Sequence, residues 1–537
     1  MNRNLNMKTK YIFASLLAAS LAFTSCEDMD TLPEGSTITS SQKDQISEQD
    51  PSKIVARVNA IFAQLNQYMP NEGALGASRH NDIGYPSIML FTDTNGNDVV
   101  SDNNGYNWTG NDLDYTDRSQ TSLECQMVWN DLYSMIYAAN NVIAGVDPKT
   151  EDSTEQFYLA QGLGARAFSY WVLAQLYQFN YKGNETKPCV PLITEENMEE
   201  AASKGCPRAT VQAIYTQITT DINTAIDLLS KSKFKRSDKR YISLAVAYGI
   251  SARANLTMHE YAAAATAADN AIKAAASENL APSSLTAANK PAFWSSDESN
   301  WMWGIIVSET DRVVTSGIVN WPSHMGSMSY GYANYSGGRQ INKELYSKIP
   351  ADDVRKGWWL GADLKSKNLS EDQQAMITDY GYAAYTQVKF APYKNELETS
   401  VNANDIVLMR VEEMYLIKAE GEAMSGKDGK TTLVNFIKKY RNPTYTPTES
   451  NIQEEVFQQR RIELWGEGLN WFDLMRLSKG VDRRGAGYPN SEMVFNIAAD
   501  DNVLLWPIPE VELQSNQALS EADQNTPGNT PKPVEDK

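Results

Sequence analysis

From Glu454 to Leu477 the chain reads EEVFQQRRIELWGEGLNWFDLMRL, with charge and aromatic mass alternating at helical spacing. Val456 and Phe457 share a face with Leu464, and Phe472 and Met475 continue an apolar stripe beyond Gly466 and Gly468. The two glycines end one helix and let another begin. Arg460, Arg461, Glu463, Glu467, Asp473 and Arg476 stand among Trp465, Trp471 and Phe472, so several of these charges must be partly buried and paired, because an unpaired buried charge is costly. The stretch reads as an architectural clamp. Acid/base work needs two carboxylates facing a substrate across a cleft; Glu463 and Glu467, one turn apart on one helix, would only repel each other.

The clamp constrains the rest of the chain to a helical body, and repeat spacing says which kind. Tyr248, Ala252, Tyr261, Ala264 and Ala271 fall at the aromatic and small positions of a tetratricopeptide repeat, where antiparallel helices pack too closely for larger side chains, and His259 takes the usual turn-glycine position. Tyr415, Ala419 and Gly426 repeat the same spacing. The expected fold is mostly α, a tetratricopeptide-like helical-repeat scaffold within 51–277 and 405–477. Loop-rich inserts at about 70–119 and 278–404 interrupt it. Further helices are expected from Pro51 to Tyr68, Leu123 to Val146, Thr154 to Phe179 and Pro207 to Leu229.

Several of these segments resemble one family. Arg460, Arg461, Glu463, Leu464, Glu467, Gly468, Trp471, Phe472, Asp473, Leu474 and Arg476 fill the C-terminal signature of the SusD/RagB family of nutrient-binding outer-membrane lipoproteins, with Asn470 where a basic residue is common. GARAFSYWVLAQLYQF, the proline-arginine start at Pro207, IVLMRVEEMYLIKAEGEAMSGK and LLWPIPEVELQSNQAL are similar to further segments of that family. The resemblance implies a SusD-like lid on a SusC-like TonB-dependent barrel, delivering glycan to it or, as in RagB-like members, oligopeptide.

The N-terminus fits such a location. Arg3, Lys8 and Lys10 precede an apolar run from Tyr11 to Phe23 that is too short to span a bilayer, so 1–25 reads as a signal peptide. Cys26 follows small residues as in a lipobox and is expected to carry the lipid anchor to the outer membrane. Glu27, Asp28 and Asp30 resemble an export signal to the extracellular side. Residues 26–50 read as a flexible tether, 51–524 as one domain and 525–537 as a disordered tail.

With 48 Lys and Arg against 67 Asp and Glu, the chain has net charge −19 and repels phosphate backbones, which excludes nucleic acid as a partner. No Cys/His cluster has zinc spacing, no cofactor motif appears, and no HExxH proposes a peptidase. A disulfide between Cys189 and Cys206 suits an oxidising compartment; the alternative is reduced, buried thiols. Asp93 to Asp112 offers many oxygens without the EF-hand order, leaving calcium or a solvated loop as readings.

A binder of neutral sugars needs aromatic platforms ringed by hydrogen-bonding groups. The chain has 12 Trp and 27 Tyr, dense in the two inserts. Trp108 with Asn107, Asn111 and Asp112, and Trp321 with His324, Tyr330 and Tyr332, are the expected ligand-binding residues; the competing reading packs either Trp under its own loop. No carboxylate pair is proposed as catalytic, and the expected activity is binding rather than glycoside hydrolysis.

Overall fold

The computed structural model describes residues 52–537. The signal peptide, Cys26 and the tether to residue 50 lie outside the described residues. Helix α1 (Ser52–Gln64) opens the body and is followed by α2 (Tyr85–Asn95), α3 (Leu123–Ile143) and α4 (Ser153–Tyr177). Next come α5 (Val211–Lys231), α6 (Leu244–Thr257) and α7 (Tyr261–Ser277). After the long insert, which carries α8 (Glu371–Tyr380), the chain returns as α9 (Val411–Met424), α10 (Gly429–Tyr440), α11 (Ile452–Glu463) and α12 (Asn470–Arg476). Side-chain caps mark several starts: Ser122 accepts the Cys125 N–H, Asp152 those of Thr154 and Glu155, and Thr210 that of Ala213.

From α3 to α7 each helix packs on the next, and α7 packs directly on α9, so two repeats separated in sequence by the insert adjoin in space. Small residues permit the approach. Ala252, Ala264, Ala271 and Ala419 are fully buried, and a Cβ on Gly421 would meet the Tyr261 carbonyl oxygen at 2.6 Å. His259 adopts φ +61°, the left-handed conformation for which such repeats use glycine, and its Nε2 faces the Arg476 carbonyl oxygen at 2.7 Å.

Four short antiparallel strand pairs among the described residues accompany this stack, and two of them hold the inserts. They are β1 (Val99–Val100) with β5 (Gln340–Ile341), β2 (Pro188–Pro191) with β3 (Arg208–Thr210), β4 (Trp301–Ile305) with β6 (Ile406–Arg410), and β7 (Val481–Asp482) with β8 (Asn496–Ile497). The β4–β6 pair, with Trp301 opposite Arg410 and Ile305 opposite Ile406, closes the base of the insert. The β1–β5 pair, with Val99 opposite Ile341, joins the early loop to it.

The clamp is charged and almost wholly buried. Arg410 donates to Glu467 at 2.7 and 2.9 Å and to the Glu463 carboxylate at 3.0 Å. Arg441 reaches Glu463 at 2.8 and 2.9 Å, and Arg355 reaches it at 3.3 Å. Burial pushes the Glu463 carboxyl up, but Arg441, Arg410 and Arg355 outweigh it and hold it well below the usual carboxylate range. Lys389 donates to Glu467 at 2.6 Å, Arg460 and Arg476 share Asp473, and Arg461 binds Asp98 at 2.9 Å. Gly466 and Gly468, at φ +74° and +71°, turn the chain between α11 and α12.

Three expectations need correction, and at two further points, calcium and the disulfide, the structure favours one of the readings left open. Glu467 lies in that turn, not on the helix of Glu463, and the two carboxylates converge on Arg410 instead of simply repelling each other. The stretch 70–119 is not all loop: α2 is buried along its whole length, and a helix covered on every side has no apolar period to show. The oxygens of 93–112 do not converge for calcium, because Asp93 accepts the Gly468 N–H at 3.0 Å while Asp98 answers Arg461; among the described residues no acidic or His/Cys group is arranged to hold a metal. Cys189 and Cys206 are free thiols. The tail beyond Asn525 is tied to the body: the Val534 N–H bonds the Val494 carbonyl oxygen at 2.9 Å and Lys537 lies 3.6 Å from Glu344.

Candidate functional site

The early loop and the insert meet over the β1–β5 pair. Trp108 and Tyr332, one from each, have ring centroids 5.9 Å apart. His80 lies between them, stacked on Trp108 at 4.7 Å and bonded through Nδ1 to the Tyr332 hydroxyl. Arg79 sits over the Trp108 ring at 5.0 Å and pairs with Glu124, which also accepts from Asn111 at 3.1 Å. Trp108 is thus already stacked within the protein, as a half-buried buttress. Burial, then Arg79, lowers the His80 pKa and favours its neutral form.

Beneath lies a buried polar floor. Asn107 is 6 % exposed and takes Arg339 Nη2 on Oδ1 at 2.9 Å, while Arg339 Nε donates to the His324 carbonyl oxygen at 3.0 Å. His324 is fully buried, which pushes its pKa down to about 3. A neutral ring whose Nε2 stands 2.9 Å from the His80 carbonyl oxygen must carry its proton on Nε2 and donate. Asp112 is also fully buried, and burial followed by Asp117 pushes its carboxyl well above the ordinary carboxylate range. Trp321 is 3 % exposed and packs edge-on against Phe390 at 4.9 Å. Of the expected ligand contacts, then, Trp321, His324, Asn107 and Asp112 are core and floor, because loop composition does not show which way a side chain turns. Asn111 and Tyr330 are exposed, and Tyr332 is partly covered.

The rings that do face outward are tyrosines. Tyr106 is 54 % exposed, Tyr330 48 %, Tyr335 58 % and Tyr380 48 %. Tyr335 lies 5.5 Å from Tyr106 and 6.4 Å from Tyr330, and Tyr380 stacks on Tyr382 at 6.0 Å. Three segments supply the row: the early loop, the turn around 330–335 and the end of α8. Asn104 donates to the Tyr335 carbonyl oxygen at 3.1 Å, and Tyr380 donates to Glu398 at 3.2 Å. The row's sequence signal was weak. Tyr106 lies within NNGYNW beside Trp108, and His80 in ASRHND carries no pattern.

Fold and face together define a helical-repeat scaffold that carries a loop-built aromatic surface. A family model described as "Starch-binding associating with outer membrane" matches residues 40–256, and the SusD family model matches 327–528. The chain belongs to the SusD family. SusD-like protein P38 of Formosa agariphila is 26 % identical over 445 residues, 74 % of this chain and 79 % of that protein. A SusD-like carbohydrate binding protein from Bacteroides vulgatus superposes with a TM-score of 0.71 at 22 % identity, covering 88 % of this chain and 97 % of the other. Surface glycan-binding protein A from Bacteroides thetaiotaomicron, solved with laminarihexaose, superposes at 0.60 with 17 % identity, covering 88 % and 99 %. No helix among the described residues is long and apolar enough to cross a membrane.

Proposed function

We propose that this protein is a lipid-anchored lipoprotein on the extracellular side of the outer membrane, which captures an oligo- or polysaccharide on the tyrosine row and passes it to a SusC-like TonB-dependent barrel. The observation that carries the reading is the convergence of Tyr106, Tyr330, Tyr335 and Tyr380, each about half exposed, from three separate segments. A tyrosine ring offers a flat apolar face to a sugar ring and a hydroxyl to its edge. The exposed amides of Asn103 and Asn104 and the Glu398 carboxylate supply polar partners around the rings. Capture of laminarihexaose by a relative of this fold supports a glycan over the oligopeptide alternative. The lipobox-like Cys26 supports the anchor, and the exposed flank of stacked helices suits a protein partner such as the barrel.

The test is affinity for a panel of polysaccharides and peptides, paired with melting temperature. Tyr106→Ala and Tyr335→Ala should each weaken glycan binding by about 1–3 kcal/mol at nearly unchanged stability. Trp321→Ala, a cavity in the core, should instead cost about 3–5 kcal/mol of folding stability. Binding to peptides alone, or glycan binding indifferent to both tyrosines, would sink the proposal. Co-purification of a barrel with the native lipoprotein tests the delivery step.

A further inference from the structure

The strongest basic run of this acidic chain has no part in the aromatic face. Residues 231–240 hold Lys231, Lys233, Lys235, Arg236, Lys239 and Arg240 against the single acid Asp238. The run links α5 to α6 and forms the lip of a cleft of about 620 Å3, a volume suited to a small ligand. Three features converge there.

The first is the start of α6, whose first amides lack intrahelical acceptors and whose dipole is positive at that end. Ser243, its N-cap, lines the cleft, makes no capping bond and is 8 % exposed. Its Oγ has no partner among the described residues, and a buried hydroxyl left unpaired is destabilising until something accepts from it. The second is a pair of lysines without an ion pair among the described residues, although the cleft lining as a whole balances Lys235, Arg236 and Lys239 against Asp238, Glu278 and Asp297. Arg236 is paired with Glu278 and Arg240 with Asp238, but Lys239 has only the Glu298 carbonyl oxygen at 2.7 Å and Lys235 has no ion pair among the described residues. Burial, then Arg236, lowers the Lys239 pKa against the pull of Asp297, Glu298 and Glu278. Of these carboxylates Asp297 is exposed at the mouth, and Glu278 is taken by Arg236. The third is an apolar wall: Phe234, 40 % exposed, rests on Phe157 at 4.7 Å, with Leu244 and Leu280 beside them.

We infer that this cleft is a second ligand site, for a small molecule bearing an oxyanion (carboxylate, sulfate or phosphate) on a sugar-sized body, the oxyanion accepting from Ser243 and Lys239 and the body lying against Phe234. No residue is shared with the tyrosine row, so the site stands whether or not that row binds glycan. Calorimetric titration of the full chain with glucuronate, glucose 6-sulfate, glucose 6-phosphate and glucose tests it. At least one anionic sugar should bind where glucose does not, and binding should weaken with added salt. Ser243→Ala and Lys235→Gln should each reduce that affinity about fivefold or more; the ligand-free melting temperature should be unchanged for Lys235→Gln and unchanged or higher for Ser243→Ala, since neither side chain makes a bond the fold uses and the buried hydroxyl is unpaired. The inference is overturned if no anionic sugar binds at about 10 mM, if glucose binds as well as its anionic forms, or if both variants bind like wild type.

Discussion

At the scale of single residues, burial decides chemistry as much as side-chain type does. His80 and His324 are both in contact with Tyr332, yet only His324 is sealed from water, with a pKa pushed down to about 3. In the unfolded chain the same imidazole titrates at its ordinary value of about 6.5. Between these pH values the unfolded state binds a proton that the folded state refuses, so this group's contribution to stability falls as pH drops, by up to about 1.4 kcal/mol per pH unit. His324→Gln, whose amide can still donate to the His80 carbonyl, removes that dependence. The gap in melting temperature between wild type and variant should therefore narrow or invert from pH 7 to pH 4.5; parallel curves would show that the ring is protonated in the fold. Nothing in the sequence separates the two histidines. Nor could it separate Trp321 from Tyr335, since both stand in a stretch of Gly, Ser and aromatics without period and only the tertiary packing turns one in and the other out.

At the scale of elements, legibility followed periodicity. Helices α3 and α5 bury one side and expose the other, and their starts and lengths could be anticipated within a few residues. Helix α2 could not, being covered all round, and the β1–β5 pair could not, since two-residue strands leave no alternation. The clamp was readable as a buried ion cluster from its mixture of charges and tryptophans, but its partners Arg355, Lys389, Arg410 and Arg441 come from segments far away. This predicts a sharp asymmetry between two glutamates of one helix. Glu463→Gln leaves three buried guanidinium groups short of a counter-charge and should cost about 3–5 kcal/mol. Glu454→Gln removes a partly exposed pair with Lys479 and should cost less than about 1 kcal/mol. Similar melting temperatures for both variants would mean that the cluster is not the keystone its geometry describes.

At the scale of the whole molecule, the tail closes the structure over the insert side. Val534 bonds Val494, the Gly485 N–H donates to Asp536, and a Cβ on Gly528 would run into the Val503 backbone at 2.1 Å. Deleting residues 527–537 should lower stability by roughly 1 kcal/mol for each bond lost and speed carboxypeptidase trimming of what remains; a native tail trimmed as fast as an unstructured peptide would contradict the packing. The clamp has a further consequence, in time rather than in space. Helix pairs such as α6 and α7 join neighbours in the chain and can close quickly, whereas Arg461 must find Asp98 across 363 positions. Loop closure makes such contacts slow. A chain emerging from its N-terminus can therefore stack its first repeats early, but the loop that carries Tyr106 lacks its ties to Tyr335, Arg339 and Ile341 until the insert has been made, and the Asp98 tie to Arg461 until later still, so the tyrosine face is among the last parts of the molecule to take shape.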